Sequence, residues 1–254
     1  MNKKVTLKRK AKRALVLGSV IAVGFALLPG TASALEAPLS LATASTYGVL
    51  ANTAVTTATP SSITGSAGAN IGVGVGAAPT GTLSTSGVVT VGGAALTALV
   101  SASSSLADVR SGTSTLTELG ARTLVAGAYT GGELAVNGTL TLDGAGSADS
   151  VFIFRAASTL VTGVSSSVVL INGAQACNVY WQVGSSATLG ASSTMTGHVI
   201  AQASISTGVT SVVNGQLIAV TGAVTLGGTT IVNNGCSSAP VVVTPPAVTP
   251  PVVT

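Results

Sequence analysis

Between Cys177 and Cys236 apolar and polar positions alternate in short runs broken by glycine, and the runs recur every eighteen residues. Gly190 and Gly197 return as Gly208 and Gly215. Trp181, Val199 and Leu217 form one column at that spacing, and Val183, Ala201 and Ala219 form a second. Alternation over four or five residues is the period of a strand, and a fixed repeat with glycine corners predicts a solenoid in which each repeat makes one coil. An eighteen-residue coil leaves room for three strands of about four residues with tight corners between them.

The pattern extends upstream. Aligned on WQVGSSATL, the segment FIFRAASTL sets Phe152 beside Trp181 and Phe154 beside Val183, which makes that coil twenty-nine residues long. Strand alternation then turns Phe152, Phe154, Trp181, Val183, Val199, Ala201, Leu217 and Ala219 into the core and Ile153, Gln182, Ile200 and Ile218 out of it. Such an apolar outer column calls for a cover. The period changes between Gly93 and Arg110, where Leu96, Leu99, Val100, Ser103, Leu106 and Ala107 recur at helical spacing. This predicts one helix lying over the column. On the second face Thr159, Thr188, Ser206 and Thr225 are expected to point outward, with the small residues Ser186, Ser204 and Gly222 beside them. Thr194, Thr196, Asn214 and Thr230 are assigned to the third face, which Val212 and Val232 interrupt.

The two ends of the chain differ from this body. Seven of the ten basic residues fall in the first thirteen positions, an apolar run follows from Ala14 to Leu28, and Ala32-Ser33-Ala34 closes it. That is the layout of a secretory signal peptide over 1–34. After Cys236, at 237–254, the chain becomes rich in Pro, Val and Thr and holds five of the nine prolines, an extended tail that could tie the domain to the cell envelope.

Removing the leader changes the charge. The precursor carries +4, but Arg110, Arg122 and Arg155 then remain against six carboxylates, a net −3. No basic patch is left for nucleic acid, and no membrane span is expected in the mature chain. Two cysteines in an exported chain are read as one disulfide, Cys177–Cys236. With His198 as the only histidine, no metal site or cofactor is expected. Asp143 and Asp149 sit in turn-like sequence without a partner, so no pair of carboxylates is in view for glycoside cleavage. His198 lacks an evident nucleophile and orienting acid and reads as an exposed surface residue. The Gly72–Gly76 tract lacks the Lys-Ser/Thr of a phosphate loop. The chain therefore reads as a non-enzymatic monomer.

The stretch NGAQACNVYWQVGSSATLGASSTMTGHVIAQASI, with DSVFIFRAASTL before it and VNGQLIAVTGAVTLGGTTI after it, resembles the large microbial ice-binding protein family. LATASTYGVLANTAVT and ARTLVAGAYTGGELAVNGTLTLDG resemble its earlier coils. The resemblance implies an all-β fold, a right-handed discontinuous parallel β-helix of triangular cross-section over 35–236 with one α-helix along one face. It also implies adsorption to an ice crystal surface through a flat exposed face. Some members carry a T-A/G-x-T/N pattern there; Thr207-Gly208-Val209-Thr210 fits it, while Thr162-Gly163-Val164-Ser165 and Leu226-Gly227-Gly228-Thr229 each depart at one position. The expected ice face comprises Thr159, Ser186, Thr188, Ser204, Ser206, Thr207, Thr210 and Thr225, on a secreted, extracellular antifreeze protein that inhibits ice growth or recrystallisation. The alternative is an adhesive cell-surface solenoid that binds polysaccharide or neighbouring cells.

Overall fold

Parallel pairing carries the chain around three faces in each coil. A computed structural model describes residues 36–236 apart from 111 and 113. The expected leader at 1–34 and tail at 237–254 lie outside the described residues. The first face is built from Ser114–Thr115, Gly127–Gly131, Phe152–Ala156, Val179–Val183, the second halves of Thr194–Ala201 and Val212–Ala219, then Tyr47–Ala51, Asn70–Val73 and Val89–Val91. The second face stacks Leu134–Val136, Leu160–Thr162, Ala187–Leu189, Ile205–Thr207, Val224–Gly227 and Val55–Thr59. The third runs from Arg122–Val125 through Thr139–Asp143, Ser167–Ile171, the first halves of the two long strands, Thr230–Val232 and Ser61–Thr64 to Leu83–Thr85.

Stacking order departs from chain order. Val49 pairs with Leu217 on one side and Ile71 on the other, so the first coil in sequence sits against the last. The long strands serve two faces because they bend at Gly197 (φ 109°) and Gly215 (φ 150°). A Cβ at Gly215 would lie 2.0 Å from the Gly197 carbonyl oxygen, so only glycine turns that corner.

Inward side chains form one continuous core from Val49 and Ile71 through Leu217, Val199 and Trp181 to Phe154 and Leu140. Tyr129, Phe154 and Trp181 stack on successive coils with ring centroids 5.4 and 4.2 Å apart. This stack corrects the expected register: Phe154, not Phe152, lies beside Trp181, and Phe152 pairs with Val179. The coil is therefore two residues shorter than expected. Its side-chain parity is unchanged, so the residues assigned inward do face the core.

The outer column of the first face is covered, as expected. Ile153, Ile200 and Ile218 pack in a second cluster with the helix Gly93–Ala107 and the segment from Leu39 to Tyr47. The helix ends three residues before the expected boundary at Arg110. It also rests on a different stripe: Ala95, Ala98, Leu99, Ala102 and Ser105 are buried, while Leu96 and Val100 face outward. Leu99 is shared with the expected stripe and Leu106 packs partly against the same cluster, while the small Ala95, Ala98 and Ala102 fill the rest of the contact. Gln182, in the same outward column as Ile200, fixes the helix end: its Nε2 donates to the carbonyls of Ser105 (2.6 Å) and Asp108 (2.9 Å), which the helix itself leaves without donors. Gln216 fixes the other cover segment, donating from Nε2 to Ala44 O at 3.1 Å, to Ser45 O at 2.8 Å and to Tyr47 O. Among the described residues no helix is long and apolar enough to cross a membrane.

Candidate binding face

With the first face covered, the second stands bare. Its strands are short and its inward residues, Leu160, Ala187, Ile205 and Val224, anchor it to the core. Between them one outward column reads Ala135, Val161, Thr188, Ser206, Thr225 and Thr56. Coils stack about 4.7–4.9 Å apart, so these side chains form a ladder at that spacing. Its hydroxyls touch: Ser206 Oγ donates to Thr188 Oγ1 at 3.4 Å, and Thr56 Oγ1 to Thr225 Oγ1 at 3.4 Å.

The candidate residues divide into three groups. Thr188, Ser206 and Thr225 stand in the exposed ladder, as expected. Ser186 and Ser204 lie half-buried along one rim, where they hold the backbone of the next coil: Ser186 Oγ accepts from Ser204 N, and Ser204 Oγ accepts from Ala223 N, both at 3.3 Å. Thr159 belongs beside them and not in the ladder, because Val161 pairs with Thr188. Thr207 is turned inward and buried. Its neighbour Ser206 points out, and its Oγ1 is bonded to Thr229 Oγ1 and accepts from Gly227 N at 3.0 Å. Thr210 lies at the corner toward the third face in a left-handed conformation (φ 55°), 3.0 Å from Ser192 Oγ. The two threonines of the T-G-x-T segment therefore face different directions. Thr56 joins the ladder from the first coil. It was missed because nothing local in sequence reveals that this coil stacks on the last.

The third face is not flat. Thr196, expected outward there, is buried and donates to Val168 O at 2.9 Å. It lies in a groove of ≈ 420 Å³ shared with Leu170, Cys177, His198, Asn214 and Asn233. The Cys177–Cys236 disulfide, with Cα atoms 5.2 Å apart, ties the segment after Val232 across this corner. His198 is buried beneath it and not exposed as the sequence suggested; its Nε2 lies 3.2 Å from Cys177 O and its ring 5.3 Å from that of Tyr180. Burial pushes the imidazole down to about 4, with the Cys177 carbonyl and the Gln216 side chain pulling the other way. Glu118 and Asp143 serve local structure. Glu118 accepts from the backbones of Gly120 (2.6 Å) and Asn137 (3.0 Å), and Asp143 from Ala145 N (2.8 Å) and Asn172 Nδ2 (2.9 Å). Arg110 bridges Glu36 and Asp108, each at 3.0 Å. Among the described residues no His, Cys, Asp and Glu side chains cluster as a metal site.

Together these residues define a charge-poor parallel solenoid with one exposed, hydroxyl-bearing face. Residues 49–232 match the Ice-binding-like family, and the chain belongs to it. It is 39% identical over 209 residues to an ice-binding protein of Nostoc sp. (strain HG1), covering 79% of this chain and 76% of that one. The crystal structure of an ice-binding protein from the Antarctic ascomycete Antarctomyces psychrotrophicus superimposes with a TM-score of 0.71 at 35% identity, over 80% of this chain and 100% of that one. An ice-binding protein from an Antarctic biological consortium gives 0.74 at 31% identity, over 78% and 92%.

Proposed function

We propose that the protein is exported and adsorbs to ice through the second face, pinning the crystal front and hindering recrystallisation outside the cell. The observation that carries this reading is the ladder Thr188–Ser206–Thr225–Thr56, regular along the stack and free of charge. Threonine on a strand is stiff at χ1, so its methyl and hydroxyl are set before contact and little entropy is lost on binding. The small rim residues keep the face level, which matters because one protruding side chain lifts its neighbours off a crystal plane. The groove on the third face and the helix on the first leave neither of those surfaces level.

Microscopy of single ice crystals tests the reading. The protein should shape crystals; growth and recrystallisation as in buffer alone would remove the function. Ser206→Tyr, at an exposed position, should abolish shaping, and Thr230→Tyr, exposed on the third face, should leave it. The opposite result would move the site to the third face. Mass spectrometry of protein recovered outside the cell should place its first residue at Leu35.

A further inference from the structure

One end of the solenoid is unfinished. Val89 and Val91 pair with Ile71 and Val73, so by register they continue the core column of the first face. Ile71 and Val73 are 1% and 0% exposed, yet Val89 and Val91 are 51% and 50% exposed. The cause is topological. Among the described residues Val89–Val91 pairs only with Asn70–Val73; on the third face the last strand is Leu83–Thr85, and on the second Val55–Thr59 is followed by a single bridge from Thr56 to Thr80. Among the described residues only one wall of the triangle is present at the level of the two valines. Val88 beside them is 61% exposed.

Solenoid ends are ordinarily closed by polar caps, and open strand edges are blunted by charge. Among the described residues neither device is present at this end. From residue 37 to residue 107 the sequence holds no Asp, Glu, Lys, Arg or His. The opposite end carries Glu118, Arg122, Glu133, Asp143, Asp149 and Arg155.

The first and last described residues, Glu36 and Cys236, lie away from this end. Glu36 is held by Arg110, beyond the far end of the helix, and Cys236 is tied to Cys177 beside the strand Val179–Val183. Five coils, about 24 Å, separate that strand from Val89–Val91. Stacking the open end on the charged end would desolvate charges and would not close. Two open ends meeting about a two-fold axis bury apolar against apolar, with no like charges brought together, and stop at two.

We propose that the open end around Val88, Val89 and Val91 docks a second copy of this chain in a closed head-to-head dimer, in place of the monomer expected from sequence. The test is sedimentation equilibrium of the purified protein, away from ice, so that it stands apart from the ice reading. The mass should rise with concentration from one copy to two and no further. Val89→Lys should raise the dimer dissociation constant at least about tenfold by burying an unpaired charge, with circular dichroism unchanged. Val88→Lys, at a still more exposed position, should do the same and decides the matter if the first variant folds poorly. Val164→Lys, on an exposed corner away from this end, should leave the mass curve as it is. A single copy at every concentration, assembly past two, or a dimer indifferent to both lysines at the open end would overturn the proposal.

Discussion

Val161 stands directly opposite Thr188 in the outward ladder of the second face, at the position that Ser206, Thr225 and Thr56 fill in other coils. The hydroxyl run ends there, since Ala135, the next residue in the column, carries none either. Val161→Thr keeps the shape and the β-branch and adds one hydroxyl in register. Folding stability should change by less than about 0.5 kcal/mol, as for other exposed substitutions. Thermal hysteresis, measured on single crystals at equal protein concentration, should rise. A fall would mean that the methyl pair of valine, not the hydroxyl, serves the contact.

The buried His198 gives stability a dependence on mild acid. Its folded value is about 4 and its ordinary value 6.5. Between these the unfolded chain binds a proton that the native chain refuses, so stability is full above about pH 6.5, falls with pH through that window and levels off near pH 4. The loss amounts to about 3 kcal/mol. Glu118 is lowered as well: burial works against it, but hydrogen bonds from Asn137, Gly120 and Leu119 outweigh burial. Asp143 is lowered by Ala145 N and Asn172. Their contributions begin to be lost only as pH falls to the ordinary carboxylate values, 4.5 and 3.8, and are gone below the lowered ones. Urea midpoints taken from about pH 7.5 to about pH 4.5 should therefore decline in the native protein and stay nearly flat in His198→Gln.

The disulfide closes a loop of 59 residues. Loop entropy assigns such a bridge about 4 kcal/mol. Cys177→Ser with Cys236→Ser should lower the melting temperature by several degrees and speed hydrogen exchange in the segment after Val232. Ice shaping at low temperature should persist, because the bridge crosses the corner of the third and first faces. Loss of shaping in a folded double variant would show that this corner takes part in adsorption.

The faces of eight core residues could be read from alternation alone, and among them Trp181, Val199 and Leu217 lie where the column put them. Register was harder. In a stretch of Ala, Ser and Thr, the shared Thr-Leu of two segments drew Phe152 onto Trp181, whereas aromatic volume set Phe154 there. The inward turn of Thr207 was legible: strand period forbids adjacent Ser206 and Thr207 from sharing a face, and the motif obscured it. What surrounds His198 was not legible, since Cys177, Tyr180 and Gln216 come to its ring from neighbouring coils and not from its own strand context. Nor was the alanine side of the helix, because a leucine stripe signals hydrophobicity but not how closely two backbones approach.

The placement of Val49 against Leu217 governs how the domain can be made. A chain emerging from the ribosome completes Tyr47–Ala51 and Asn70–Val73 long before the strand that lies under them exists. Until Val212–Ala219 is synthesised, those early strands are a lid without a box, and the interior can be sealed only by a late, long-range insertion. Such an ordering keeps the nascent chain open until synthesis is nearly complete, and it places the burden of preventing premature association on the uncharged, glycine-rich first coils.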